Sequence, residues 1–273
     1  SGTLHVFSTL AISTTVNSDG HMWVGNYGSA TSTTVNTGGI INGFTVLEDQ
    51  YYDSGLHVSN AYVNGGAALY YGQTATSTTV NSGGFMRVYN GSTTSTTVNF
   101  GGNMAVYEYG SATSTTVNSG GCMYVSSGGY VNGLQIAKGG QVILNRASRL
   151  DFRIADQLSY VDVLVNDWSL IADKGAFYTI TVGQNQWNGV YQLAGGAANF
   201  NKDIAITIDE FTIGTFTGGS GIITFGDYTY TLGKTENGTL TLTVQGGLDP
   251  SEVPLGNPVI AGGNAIRIMA DGT

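Results

Sequence analysis

Along the first half of the chain, apolar residues return in short alternating bursts that follow a glycine: His21-Met22-Trp23-Val24, Phe85-Met86-Arg87-Val88, Asn103-Met104-Ala105-Val106 and Cys122-Met123-Tyr124-Val125. Met and Val stand two apart, so on an extended strand they share one face. The residue between them changes from Trp to Arg to Ala to Tyr, whereas four of the five methionines fill the one slot. A restricted position beside a free one predicts an inward Met and an outward neighbour.

Ahead of each burst runs a polar phrase, Ser-Thr-Thr-Val-Asn, a small or aromatic residue, then Gly or Asp and Gly. Copies occupy Ser13 to Gly20, Ser32 to Gly39, Ser77 to Gly84, Ser95 to Gly102 and Ser114 to Gly121. Their valines, Val16, Val35, Val80, Val98 and Val117, lie 19, 45, 18 and 19 residues apart. So short a period is the signature of a solenoid. The register extends to Ile136, Val142 and Leu144 at one end and to Leu4 and Val6 at the other, so the periodic part runs from about residue 2 to 145. A unit of this length holds two or three short strands and cannot cover its own apolar side, but stacked units can. The fold expected is all-β, a parallel β-helix with Met, Val, Leu and Ile inside and glycines at corners that need positive φ or close backbone approach. Asn17, Asn36, Asn81, Asn99 and Asn118 are placed to stack as a ladder of amides.

The period breaks between 40 and 70. Residues 38–46 match 128–136 position for position, then Glu48 to Asp53 interrupts, and the register resumes at Val63. Residues 47–55 are read as a loop bulging from one coil. From Leu150 the phrase disappears while strand signals continue around 160–165, 177–182 and 203–208, and Tyr228 to Leu232, a turn with Asn237-Gly238 and Thr239 to Val244 read as a hairpin. The expected organisation is a β-helix over 1–149, a C-terminal β-rich cap or small sandwich over 150–245 that covers the open end, and a linker with the start of a following segment over 246–273, where all three prolines fall. The chain begins without Met and ends at Asp271-Gly272-Thr273 without a finishing element, so it reads as a piece of a longer protein.

Composition narrows the function. Lys and Arg total 9 against 18 Asp and Glu, a net charge of -9, which gives no reason to seek nucleic acid. Residues 1–137 hold one cation, Arg87, and five acids, Asp19, Glu48, Asp49, Asp53 and Glu108, so the repeat is close to neutral and rich in hydroxyls. No apolar run of transmembrane length is present, and the N-terminus lacks the features of a signal peptide. The lone Cys122 excludes an internal disulfide and takes a slot that other copies give to His21, Phe85 or Asn103, a tolerated variable position.

These phrases resemble the AIDA-type repeat of self-associating autotransporter adhesins, over about residues 2–145. The resemblance implies a secreted or surface-displayed β-helical passenger of a Gram-negative bacterium, a non-enzymatic adhesin or stalk serving adhesion, self-association and biofilm formation. Its partners would be an identical molecule or a host or matrix glycan or protein. It also implies a glycosyltransferase that adds heptose to repeat hydroxyls, with Ser13, Thr14, Ser32, Thr33, Ser77, Thr78, Ser95, Thr96, Ser114 and Thr115 as candidate acceptors, against the plainer reading of ordinary strand and corner hydroxyls. The export barrel of that family is absent from this sequence, and the resemblance does not explain 150–245.

Parallel β-helices also serve as polysaccharide lyases and glycosidases, which makes a carbohydrate-active enzyme or glycan-binding module the alternative. Such enzymes need a carboxylate cluster with a base, or two carboxyls facing each other. Coils 60–137 offer Glu108 and Arg87 alone, and the richest acidic group, Glu48, Asp49 and Asp53 with Tyr51, Tyr52 and His57 nearby, reads as a solvated loop. His5, His21 and His57 are too scattered for metal ligation. No catalytic, cofactor or metal residue is therefore expected. Asp249-Pro250 reads as a linker start or as a labile bond. For Trp23, Tyr89, Tyr107, Tyr109 and Tyr124, stacking on sugar rings and shielding of coil edges both stay open.

Overall fold

A computed structural model describes residues 2–25, 29–36, 39–43, 57–70, 72–155, 157, 162–247, 260–261 and 265–266. The chain divides into two compact units, residues 1–150 with 169–177, and 151–168 with 178–273.

The first unit is a parallel β-solenoid with three strand-bearing faces. Its first face is a nine-stranded sheet that begins with Gly2–Phe7 and Gly20–Gly25 and ends with Gln141–Leu144 and Ile171–Asp173. That last strand comes from residues without the repeat phrase. Register places Leu4, Met22, Ile41, Ala67, Met86, Met104, Met123 and Val142 in one column. The four methionines are fully enclosed, as are Val24, Val88, Val106, Val125 and Leu144 in the slot two residues on. Each such side chain contributes about 1.5–3 kcal/mol when removed from water. The expected inward stack of methionines is what the structure contains.

The second face carries short strands such as Thr74–Thr76 and Ser92–Thr94, and the third carries Thr79–Val80 and Thr97–Val98. Val16, Val35, Val63, Val80, Val98, Val117 and Ile136 form the third face's buried column. Val35 pairs directly with Val63, so the long interval between repeat phrases is one enlarged coil followed by one ordinary coil. The extra residues enter between Ile40–Gly43 on the first face and His57–Ser59 on the second. The expected bulge over 47–55 lies outside the described residues.

The equivalence of 38–46 with 128–136 does not hold. Ile40 pairs with His21 and Gly66 on the first face, whereas Tyr130 pairs with Ser111 on the second. Gly39 follows the valine strand, whereas Gly128-Gly129 follows the methionine strand. Shared local composition concealed different positions around the coil.

A residue in the left-handed region makes most of the described corners, the one after Val63 being an exception. Between the third and first faces it is Gly83, Gly101, Gly120 and Gly139, with Asp19 in the first coil. The glycine after it has another reason: a Cβ on Gly121 would stand 2.5 Å from the Val98 carbonyl oxygen of the previous coil, and on Gly140 2.7 Å from that of Val117. Between the second and third faces the corner residue is the repeat serine itself, with φ of 51° at Ser13, 53° at Ser32, 52° at Ser77, 56° at Ser95 and 54° at Ser114. Asn60 and Gly133 replace it in two coils, and these are the residue types that best tolerate that conformation. Beside the third face the amide ladder forms as expected. Asn36 donates to Asn17 at 2.8 Å, Asn99 to Asn81 at 2.8 Å and Asn118 to Asn99 at 2.7 Å, and Asn64 joins by donating to Asn36 at 3.4 Å.

In the second unit Tyr178–Val182 runs parallel to Ile204–Ile208, which pairs antiparallel with Phe211–Phe216. A separate antiparallel sheet has the order Gly189–Ala194, Leu240–Gln245, Tyr228–Lys234, Gly221–Phe225. The expected hairpin is present, Tyr228–Lys234 pairing with Leu240–Gln245 around a turn in which Gly238 has φ of 74°. Trp168, Tyr178 and Phe200 meet edge to face with centroids 4.9–5.4 Å apart. Asp151, 1% exposed, accepts hydrogen bonds from the hydroxyls of Thr179 at 2.6 Å and Thr181 at 2.9 Å.

Two outcomes follow. Ser95→Gly should raise the melting temperature and Ser95→Val lower it, each by an amount equivalent to about 1 kcal/mol, because glycine enters the left-handed corner without a Cβ clash; calorimetry checks the opposite signs. Burial raises the Tyr230 pKa to about 12. Its raised folded value means that its contribution to stability is complete below the unfolded value near 10 and is lost as pH rises from there toward 12. Urea titrations at these pH values should show a smaller loss in Tyr230→Phe than in the wild type, the remainder coming from tyrosines such as Tyr191 whose pKa is also raised by burial.

Candidate functional site

Alternation along the short strands decides which hydroxyls meet solvent. On the second face Ala30, Ala75, Thr93 and Ala112 point inward. The residues flanking them, Thr31, Ser59, Thr76, Thr94 and Thr113 in one column and Thr74, Ser92 and Ser111 in another, lie on the outer side. Thr31 and Ser59 hydroxyls are 3.2 Å apart, a hydrogen bond from coil to coil. On the third face the outward column is Thr15, Thr34, Tyr62, Thr79, Thr97 and Thr116. The corner serines lie between these columns.

Together the two faces present rows of hydroxyls at about 4.8 Å intervals along the solenoid. Their described strand residues from Leu10 to Ile136 include no Asp, Glu, Lys or Arg. Among the described residues of the coils, Arg87 lies on the first face and Asp19, Glu108, Lys138 and Arg146 at corners, while Arg149 opens the next strand of the second face, over the Tyr130 ring. Arg87 sits over the Phe85 ring at 4.1 Å.

The candidate acceptors separate into two sets. Ser13, Ser32, Ser77, Ser95 and Ser114 are exposed at the corner. Thr33, Thr78, Thr96 and Thr115 are 0–2% exposed and point into the solenoid, so they are withdrawn as acceptors; Thr14, in the first coil, is partly exposed. The serine's left-handed turn reverses the chain, and the next side chain enters the core. Thr96 hydrogen-bonds Thr93, while the hydroxyls of Thr33, Thr78 and Thr115 have no partner.

The aromatics also divide. Tyr70, Tyr89 and Tyr107 stack on one another, with centroids 5.8 and 4.3 Å apart and rings nearly parallel. Burial and the neighbouring Tyr107 raise the pKa of Tyr89. Those rings shield the coil edge with their faces. Tyr109 is 77% exposed in the left-handed region, and Tyr124 is 37% exposed on the first face. Sequence reasoning passed over Asn60 and Tyr62, although aligning Val63 with Val35 sets them against Ser32 and Thr34.

Among the described residues no three His, Cys, Asp or Glu gather to hold a metal ion, and no helix is long and apolar enough to cross a membrane. His5 is exposed and His21 half-exposed, on separate coils; the His57 side chain, Glu48, Asp49, Tyr51, Tyr52, Asp53, Asp249 and Pro250 lie outside the described residues. Cys122 is half-exposed with its Sγ 3.9 Å from Gln141 Oε1.

Residues 98–140, in the middle of the stacked coils, match the family model described as "Adhesin of bacterial autotransporter system, probable stalk". Over these residues the repeat is of the AIDA type. A solved structure described as a "TibC-catalyzed hyper-glycosylated TibA55-350 fragment" matches with 28% identity and a TM-score of 0.46, covering 71% of this chain and 66%, just under two thirds, of that one. No curated protein matches. The recurring phrase and the burst that follows it thus supply the methionine column, the serine corners and the columns of outward hydroxyls.

Replacing an inward threonine tests this division. Thr115→Val keeps the shape and removes a buried hydroxyl that lacks a partner, so it should raise stability by about 1 kcal/mol. Thr116→Val, on the outside, should leave the denaturation midpoint within about 0.5 kcal/mol of wild type.

Proposed function

We propose that this chain is part of the passenger of an autotransporter adhesin, displayed on or released from the surface of a Gram-negative bacterium, and that it adheres without catalysis through its second and third faces. The observation that carries this reading is that the described strands of two adjoining faces, from Leu10 to Ile136, hold columns of hydroxyls and no Asp, Glu, Lys or Arg. A hydroxyl both donates and accepts, so a column of them is complementary to the same column on another copy. Each such bond is worth about 0.5–1.5 kcal/mol net, and adhesion depends on how many form together. On this reading glycosylation falls on the corner serines, a choice supported by their exposure beside buried threonines, and the attached sugars extend the neutral hydroxyl surface outward.

Beads coated with the protein should clump, and the triple variant Thr76→Lys, Thr94→Lys, Thr113→Lys should disperse them by placing three ammonium groups in one column at about 4.8 Å intervals. Wild-type beads that stay dispersed at high loading would overturn the adhesive reading. Coexpression with a heptosyltransferase should give sugar on corner serines by peptide mass spectrometry, and sugar on Thr33, Thr78, Thr96 or Thr115 would refute the assignment of acceptors.

A further inference from the structure

Two columns change identity together in two coils. The corner column reads Ser13, Ser32, Asn60, Ser77, Ser95, Ser114, Gly133, and the outward column of the third face reads Thr15, Thr34, Tyr62, Thr79, Thr97, Thr116, Gln135, so that of the two coils the one with Asn60 and Tyr62 brings in an aromatic ring. Asn60 and Tyr62 are two residues apart, both exposed, and register sets Tyr62 between Thr34 and Thr79. Tyr62 is 50% exposed. Its ring differs from those of Tyr89 and Tyr107, which use their faces on each other at 4.3 Å. Among the described residues, Tyr62 is the one aromatic in the outward column of the third face, in surroundings without a formal charge.

An exposed aromatic face flanked by an amide and hydroxyls has a definite chemical counterpart. The ring packs against the C–H face of a pyranose, while Asn60, Thr34 and Thr79 supply donors and acceptors for ring hydroxyls. With no Lys or Arg among the described strand residues of these faces from Leu10 to Ile136, a uronate, sulfate or phosphate would lose solvation without gaining a partner. We propose that Tyr62 and Asn60, with Thr34 and Thr79, form a binding subsite for a neutral saccharide unit. The site is shallow and open, so one unit binds weakly, and a glycan displayed in many copies is held by many molecules at once. The inference concerns the surface assigned to adhesion but does not depend on self-association.

The test is a titration of the full chain with cellohexaose, maltohexaose and mannohexaose, and with hexagalacturonate as acidic counterpart, followed by NMR at the backbone amides of residues 60–63. At least one neutral hexasaccharide should shift these amides saturably and hexagalacturonate should not. Tyr62→Thr restores the residue that the column carries on either side, so the coil is kept, and affinity should fall about tenfold. Tyr62→Phe should retain it. Absence of a saturable neutral ligand, equal binding of the acidic one, or wild-type affinity in Tyr62→Thr would each overturn the proposal. Bead clumping is measured in parallel: wild-type beads that fail to clump sink the adhesive reading alone, and the saccharide titration decides this one.

Discussion

The structure of the first unit depends on backbone hydrogen bonds between coils in parallel register. The Thr97 amide donates to the Thr78 carbonyl and the Thr116 amide to that of Thr96, both at 2.8 Å, and the same step recurs along the stack. This pairing leaves no freedom to shift one coil against the next, because a slip of one residue would move every apolar side chain to the outside. A residue is therefore chosen for its column, and each column sets a separate physical demand. The methionine slot must fill a dry interior, the corner serine must accept the left-handed conformation, and the second glycine of each pair must pass a carbonyl oxygen too close for a Cβ.

Stacking also governs where charge is placed. Like charges in one column would face each other every ~4.8 Å, a repulsion that repeats along the axis. The second and third faces avoid it with hydroxyls and amides, which satisfy one another between neighbours, as Thr31 with Ser59 and Asn99 with Asn118. The surface read as adhesive is thus a by-product of the rule that makes the solenoid stable. Exceptions within a column, such as Tyr62 among threonines, then stand out as places where another demand has acted.

The second unit follows ordinary globular rules. The strand Leu240–Gln245 alternates buried and outward residues, Ile204–Ile208 buries both Ile206 and Thr207 at a register shift, and the aromatic rings of Trp168, Tyr178 and Phe200 pack together. Asp151 is the exception there, a carboxylate held inside by threonine hydroxyls from a neighbouring strand. No local pattern marked it, since its partners Thr179 and Thr181 lie far along the chain.

The sequence by itself determined the period, the inward methionine and valine columns, the amide ladder and the neutral character of the repeat, because in a solenoid the contacts of a residue are its own equivalents one period away. It did not determine which corner a glycine turns, and so Ile40 and Tyr130, alike in local sequence, stand on different faces of the coil. Nor did it separate Ser95 from Thr96 as outside and inside, since both are small hydroxylated residues in an unbroken polar phrase. Only the tertiary structure decided that, through the left-handed turn at the serine, which is a property of backbone geometry rather than of side-chain polarity.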